Sequence, residues 1–202
     1  MNNNFHKVIF LFSLIVFSVC CVKSQSNDLV LNEENHDIYF KKASDLIFPQ
    51  IQLHDRKVNS SLNKEKDLRE GIRYLDAVIK INPNNFAAFW FKGKAYQALE
   101  DSENAYIQFK EAFKLKSDNP DVARELMIEC LNLGKNKEGV EVALHALNLS
   151  KENAGLLGNL SLAYLMNKEL NLAKETIEKA IVIDPKDKIN ISLKKNIIEL
   201  IE

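Results

Sequence analysis

The chain of 202 residues has little of what punctuates or staples a fold: four prolines, six glycines, three cysteines and one tryptophan. With prolines only at 49, 83, 120 and 185, the long stretches between them are free to be helix. Cys20 and Cys21 stand together near the start, and Cys130 is left without an evident disulfide partner, so a disulfide or zinc framework is not expected. A formal net charge of −1 leaves no basic field for nucleic acid. His36, His54 and His145 are scattered, with no pair at helical i, i+4 spacing for a metal. There is no glycine-rich phosphate loop and no Gly-x-Ser-x-Gly elbow. No catalytic residues, metal ligands or cofactors are therefore expected, and the chain reads as a non-enzyme. With 46% hydrophobic and 27% charged residues, one ordinary globular domain with short extras is expected.

What is present begins with an apolar run from Val8 to Val22, interrupted only by Ser13 and Ser18. At 15 residues it falls short of the roughly 20 that a membrane-spanning helix needs. Lys7 precedes it and Lys23, Ser24, Gln25 and Ser26 follow. This is the layout of a signal peptide, placed at 1–20 with cleavage between 19 and 24; a buried N-terminal helix is the alternative. The cysteine pair closing the run resembles the lipid-modified cysteine of bacterial lipoproteins, which implies a lipid on Cys20 or Cys21 and attachment to a membrane. The small residue that the lipoprotein motif sets just before its cysteine is missing, and ordinary cleavage after Ser24 stays open. Residues 21–36 then read as a flexible tether. The expected location is the cell envelope, lipid-anchored, or otherwise periplasmic or secreted.

From Pro83 to Pro185 the same apolar, aromatic and small positions return every 34 residues. Four contiguous windows follow: 52–85, 86–119, 120–153 and 154–187. The second holds Phe89, Gly93, Tyr96, Ala105, Phe109 and Ala112 at positions 4, 8, 11, 20, 24 and 27. The fourth holds Leu157, Ser161, Tyr164, Ala173, Ile177 and Ala180 there, with Pro185 at 32. The third, with Ala123, Met127, Cys130, Gly139, Ala143 and Ala146, is weaker. The first has a clear second helix (Gly71, Leu75, Val78), but its first helix is ambiguous. It lies either at 52–63 or at Asp37–Phe48, with Tyr39, Ala43 and Leu46 at positions 4, 8 and 11. The first repeat is accordingly bounded at 37–85. Residues 188–202 carry Ile189, Leu193, Ile197, Leu200 and Ile201 at helical spacing and read as a cap.

The pattern resembles the tetratricopeptide repeat. That resemblance implies an all-α fold, a right-handed superhelical solenoid of antiparallel helix pairs closed by a C-terminal capping helix, working as a protein interaction scaffold. It also implies a ligand-facing concave surface at positions 2, 5, 9, 12 and 13 of each first helix. The candidate groove residues are Trp90, Lys94 and Gln97, then Arg124, Ile128 and Leu131, then Leu162, Leu165 and Met166. The Lys and Asn that grip a carboxylate in one subgroup are missing from positions 5 and 9. The expected groove is mixed, apolar and cationic, for an unidentified protein or peptide, and Gly155 and Gly158 leave room for another backbone. A plain structural spacer is the alternative.

Overall fold

The computed structural model describes residues 28–52, 62–150 and 152–202. The chain divides into two units, 1–30 and 31–202, and every described helix belongs to the second. The signal peptide and Cys20 and Cys21 lie outside the described residues. Among the described residues there are nine α-helices, one 3-10 turn (Phe48–Gln50) and no strand. The helices are α1 Glu33–Ile47, α2 Lys64–Ile81, α3 Phe86–Ala98, α4 Ser102–Leu115, α5 Pro120–Asn132, α6 Asn136–Leu149, α7 Ala154–Met166, α8 Leu170–Ile183 and α9 Lys188–Ile201. They pack as successive pairs, α1 with α2 through α7 with α8, each pair stacked on the next. This is an all-α solenoid.

The first helix starts inside the span read from sequence as tether. Asn32 caps it by accepting from the amide of Asn35 (3.0 Å), and Glu33 and Glu34 place negative charge on its first turn.

The 34-residue period governs both ends of the first helices of the later pairs. Asn85, Asn119, Asn153 and Asp187 stand one window apart, and each caps the helix that follows. Their side-chain oxygens accept from the amides of Ala88 (3.0 Å), Asp121 (2.9 Å), Leu156 (2.9 Å) and Ile189 (2.8 Å). Such a cap satisfies one of the orphan amides of the first turn. At the other end Glu100, Gly134 and Lys168 adopt left-handed backbone, with φ of 61°, 68° and 64°. The next residue's amide reaches back to close the helix: Asp101 to Tyr96 O (3.0 Å), Lys135 to Cys130 O (2.7 Å) and Glu169 to Tyr164 O (2.9 Å).

Within a pair, small residues set the spacing. A Cβ built on Gly93 would lie 2.6 Å from the ring of Phe109, which is wholly buried. On Gly71 it would lie 2.5 Å from Ile47. The second of these contacts decides the first repeat: α1 is its first helix, and Tyr39, Ala43 and Ile47 are buried against α2. Most of the other candidate segment, 53–61, lies outside the described residues. In the fourth window Ser161 replaces glycine, and its hydroxyl donates to Ala173 O (2.7 Å) in the facing helix. Cys130 is buried in the central cluster with Phe109, Leu126 and Ala143, and burial pushes its thiol up to about 12. It packs as a small apolar side chain.

Helix α9 lies over α7 and α8, burying Ile197 and packing Leu193 against Leu157, Ala173, Ile177 and Ala180. The stripe read from sequence is off by one residue at its start. Asn190 faces inward at 3% exposure, while Ile189 is 80% exposed and Leu200 is 61%. The cause is Gly158, whose missing side chain leaves the space that the Asn190 amide fills. Asn190 donates to Ala154 O (3.2 Å) and to Asp187 Oδ2 (3.0 Å). The room expected above Gly158 is thus taken by this chain's own last helix.

A polar seam ties α4 to α6. Lys110 Nζ donates to Tyr106 Oη (2.7 Å) and to Glu138 Oε1 (2.9 Å), and Tyr106 Oη donates to the same carboxylate (2.9 Å). Burial pushes the Glu138 pKa up, but the bonds from Lys110 and Tyr106 outweigh it and hold the carboxyl below its ordinary value. Glu70 is likewise held low by its bond from Arg73, against a smaller effect of burial.

Nothing lies within 4 Å of a Cβ at position 134, so Gly134→Ala should cost about 1 kcal/mol through backbone strain alone. Lys168→Gly, which relieves the same strain, should be neutral or stabilising, and urea unfolding of both variants checks the opposite signs. Acid should also weaken the fold. A carboxyl with a lowered folded-state pKa stabilises the fold above its ordinary pKa of about 4.3, and that stability is lost as pH falls through the lower folded value. Stability should therefore drop below about pH 4.5. Glu138→Gln should flatten part of that drop, by under about 1 kcal/mol since the pair is partly exposed. Urea midpoints taken from neutral pH down through the acid range provide the measurement, and an unchanged slope in the variant would contradict the assignment.

Candidate functional site

The first helices α3, α5 and α7 carry the residues expected to line the groove, and the structure sorts them into three groups. Leu162 and Met166 are open to solvent, at 36% and 40% exposure. Trp90, Gln97, Arg124, Ile128 and Leu165 are half-buried. Trp90 stands edge-on to Phe91 with ring centres 5.3 Å apart, and Phe91 meets Phe40 of α1 in the same way at 5.7 Å. Lys94 and Leu131 are buried. Leu131 sinks into the core because Gly139 of α6 leaves room; a Cβ there would lie 3.0 Å from Leu131 Cδ2.

Lys94 is buried because it has a partner. Its Nζ lies 3.1 Å from Glu125 Oε2, and both side chains are at or below 10% exposure. Gln97 Nε2 donates to the same oxygen (3.2 Å) and to Glu129 Oε1 (2.7 Å). Asn132 Nδ2 donates to Glu129 Oε2 (3.2 Å). Arg124 pairs with Asp121 (3.1 Å) and with Glu125 Oε1 (3.3 Å). The seam between α3 and α5 is thus a closed hydrogen-bonded floor, with two cations set against three carboxylates. The expected cationic character is cancelled from within, because each expected cation is already bound to a carboxylate of α5.

Glu125 and Glu129 are the residues that reading the sequence missed. The signal was there in the register. Position 10 is Ala95 in the second window and Ala163 in the fourth, both wholly buried, and Glu129 in the third, also buried at 2% exposure. A carboxylate at a position filled elsewhere by buried alanine needs donors nearby. Gln97 and Asn132 supply them.

Two clefts flank this floor. One, of about 420 Å³, lies on the α1 side among Gln50, Lys64, Lys94 and Gln97. The other, of about 170 Å³, lies among Arg124, Asn159, Gly155, Asp187 and Asn190. Along α7 there is no charged residue at all, so Leu162 and Met166 form the apolar end of the surface. Among the described residues, no group of three or more His, Cys, Asp or Glu could hold a metal ion.

The family model described as Tetratricopeptide repeat matches residues 86–119 and 154–187. Those two windows are similar to the tetratricopeptide repeat. Among solved structures, a crystal structure of MamA protein shares 19% identity at a TM-score of 0.65, covering 82% of this chain and 87% of that one. PilF of Pseudomonas aeruginosa shares 16% at 0.61, covering 83% and 69%. The first such domain of Spaghetti (RPAP3), bound to the HSP90 peptide SRMEEVD, shares 15% at 0.54, covering 57% and 92%. At these identities the likeness is one of fold. No curated protein matches the sequence.

The buried pair generates a stability prediction. Glu125→Ala leaves Lys94 buried without its carboxylate and should cost about 3 kcal/mol or more. Adding Lys94→Met should recover part of that loss, because the stranded charge is gone. Urea unfolding of the two variants checks it; equal stability in both would mean that the pair is solvated in solution.

Proposed function

We propose that this protein is a non-catalytic interaction scaffold of the cell envelope, which holds a peptide or helix of a partner against α3, α5 and α7. The observation that carries the reading is the exposed pair Leu162 and Met166, beside half-buried Ile128 and Leu165. A solenoid has no need to leave an apolar band on its first helices uncovered, and such bands mark contact sites. A repeat domain of this fold holds a peptide in the Spaghetti complex, which supports the same use here. Trp90 is the aromatic anchor at the other end, since interface energy concentrates on tryptophan and arginine.

The envelope location rests on the sequence before residue 27. A lipid on Cys20 or Cys21 would hold the chain on a membrane, with the residues between it and α1 as tether. Two attached chains or more are needed for stable anchoring. Release as a periplasmic or secreted protein after cleavage near Ser24 is the second reading, favoured by the missing small residue before the cysteines.

Two measurements test this. A photoreactive residue placed at 162 should crosslink one partner in cells, and Met166→Glu should abolish the product. The same residue at 172, an exposed position on α8, should give none. Equal crosslinking from both sites would refute the groove. Mass spectrometry of the mature N-terminus should show a lipidated cysteine; an unmodified terminus at Gln25 would refute the anchor.

A further inference from the structure

We infer that His36 is a pH-sensitive latch between the first repeat and the rest of the solenoid. Its neutral ring ties α1 to the cap of α3, and a proton on Nε2 breaks the tie. The latch is independent of what the groove holds.

Asn85 sets the hydrogen on the ring. Its Oδ1 accepts from the amide of Ala88 (3.0 Å), the bond that caps α3. That leaves its Nδ2, which can only donate, facing His36 Nε2 at 3.1 Å. Nε2 must therefore be the bare, accepting nitrogen, and the hydrogen of the neutral ring sits on Nδ1. Nδ1 donates it to Asp37 Oδ1 (2.7 Å). A proton on Nε2 would set two donors against each other. Turning the Asn85 side chain over would relieve that clash only by presenting its NH2 to the amide of Ala88, which uncaps α3. The proton and the bond between α1 and α3 thus compete for one lone pair. Among the described residues, the equivalent caps Asn119 and Asn153 make no second bond through their Nδ2.

Little compensates for the lost bond. Asp37 accepts from Nδ1 in both states, and its side chain is 97% exposed, so water screens its attraction to a charged ring. The His36 side chain is 22% exposed, which makes the bond at Nε2 the more sheltered one. The other charged groups on the elements packed against α1 are engaged elsewhere. Asp76 of α2 pairs with Lys92 of α3 (2.6 Å), Arg73 of α2 with Glu70 (2.6 Å), and Lys94 of α3 with Glu125 (3.1 Å). Lys80, in the last turn of α2, makes no bond to the ring. Among the described residues, Asp37 is the only charged group bonded to His36. One turn further along α1, Phe40 meets Phe91 of α3, and Phe91 meets Trp90. Release of His36 therefore loosens the joint on which this row of rings rests. Histidine is the side chain suited to such a change near neutral pH.

Hydrogen exchange of the full chain, corrected for the intrinsic effect of pH, is followed at the amides of α1 and, as a control, of α8. Between about pH 7.5 and about pH 5.5, opening of α1 relative to α8 should rise by about threefold to tenfold, the worth of one hydrogen bond. Glu70 and Glu138, both held low, stay ionised over that range. Emission from Trp90, the only tryptophan, should shift over the same range. His36→Gln places an amide oxygen where Nε2 stood, accepts from Asn85 without titrating, and should abolish the response. Asn85→Asp still caps α3 but offers an acceptor to a protonated ring, so acid should tighten α1 and the response should change sign. A direct signature needs no variant: at high pH, nitrogen NMR of His36 should show its hydrogen on Nδ1. The latch is overturned by an exchange ratio that ignores pH, by a response that survives His36→Gln or keeps its sign in Asn85→Asp, or by a hydrogen found on Nε2.

Discussion

The structure depends on one repeated contact, the close approach of two helices where a side chain is missing. The Phe109 ring lies where Gly93 would have a Cβ, and Ile47 lies where Gly71 would. A full side chain at either glycine would push the helices apart and open voids around the aromatic or aliphatic residue between them. In a close-packed interior such a shift is costly. The pair so formed still has apolar surface on both outer faces, and only the next pair covers it. The caps at Asn85, Asn119, Asn153 and Asp187 and the left-handed turns at Glu100, Gly134 and Lys168 recur at the same interval because each pair must meet its neighbour at the same angle.

That constraint governs what one chain reveals without any structure. Small residues at positions 8 and 20 and large ones at 24 are dictated by backbone spacing, so the solenoid is visible in the sequence. The first repeat is ambiguous there because the unbroken register offers a poor first helix with Arg56, Asn59 and Leu62, while Asp37–Phe48 offers Tyr39, Ala43 and Leu46 but requires an insertion. What resolves it is that Ile47 and Ala43 of α1 are the groups beside Gly71. Nothing in a one-dimensional register says which of two candidate segments folds back onto a glycine.

The residues expected to line a groove differ in character from what the sequence suggests. In isolation Lys94 and Arg124 each read as a free cation. For Lys94 the answer lies about one window away, since Glu125 is 31 residues on, whereas Arg124 is paired within its own helix by Asp121 and Glu125. Leu131 is misplaced for a similar reason: its burial depends on Gly139, in the helix after its own. The stripe on α9 slips by one residue because Ile189 and Asn190 are adjacent, and hydrophobicity alone favours the isoleucine. Gly158, on another helix, reverses that preference by leaving space for an amide.

A buried polar floor is an expensive way to join two helices. The flanking windows use Ala95 and Ala163 where the third uses Glu129, and alanine there needs no donors. Replacing buried charge by apolar groups is often neutral or stabilising, so stability alone does not account for Glu125 and Glu129. Their effect is to fix the side chains that lie between α3 and α5. Lys94 and Arg124 are held by carboxylates, and Gln97 is pinned between two of them. The apolar residues of α7 carry no such network, so the two ends of the surface differ: polar and internally paired between α3 and α5, apolar and open at Leu162 and Met166.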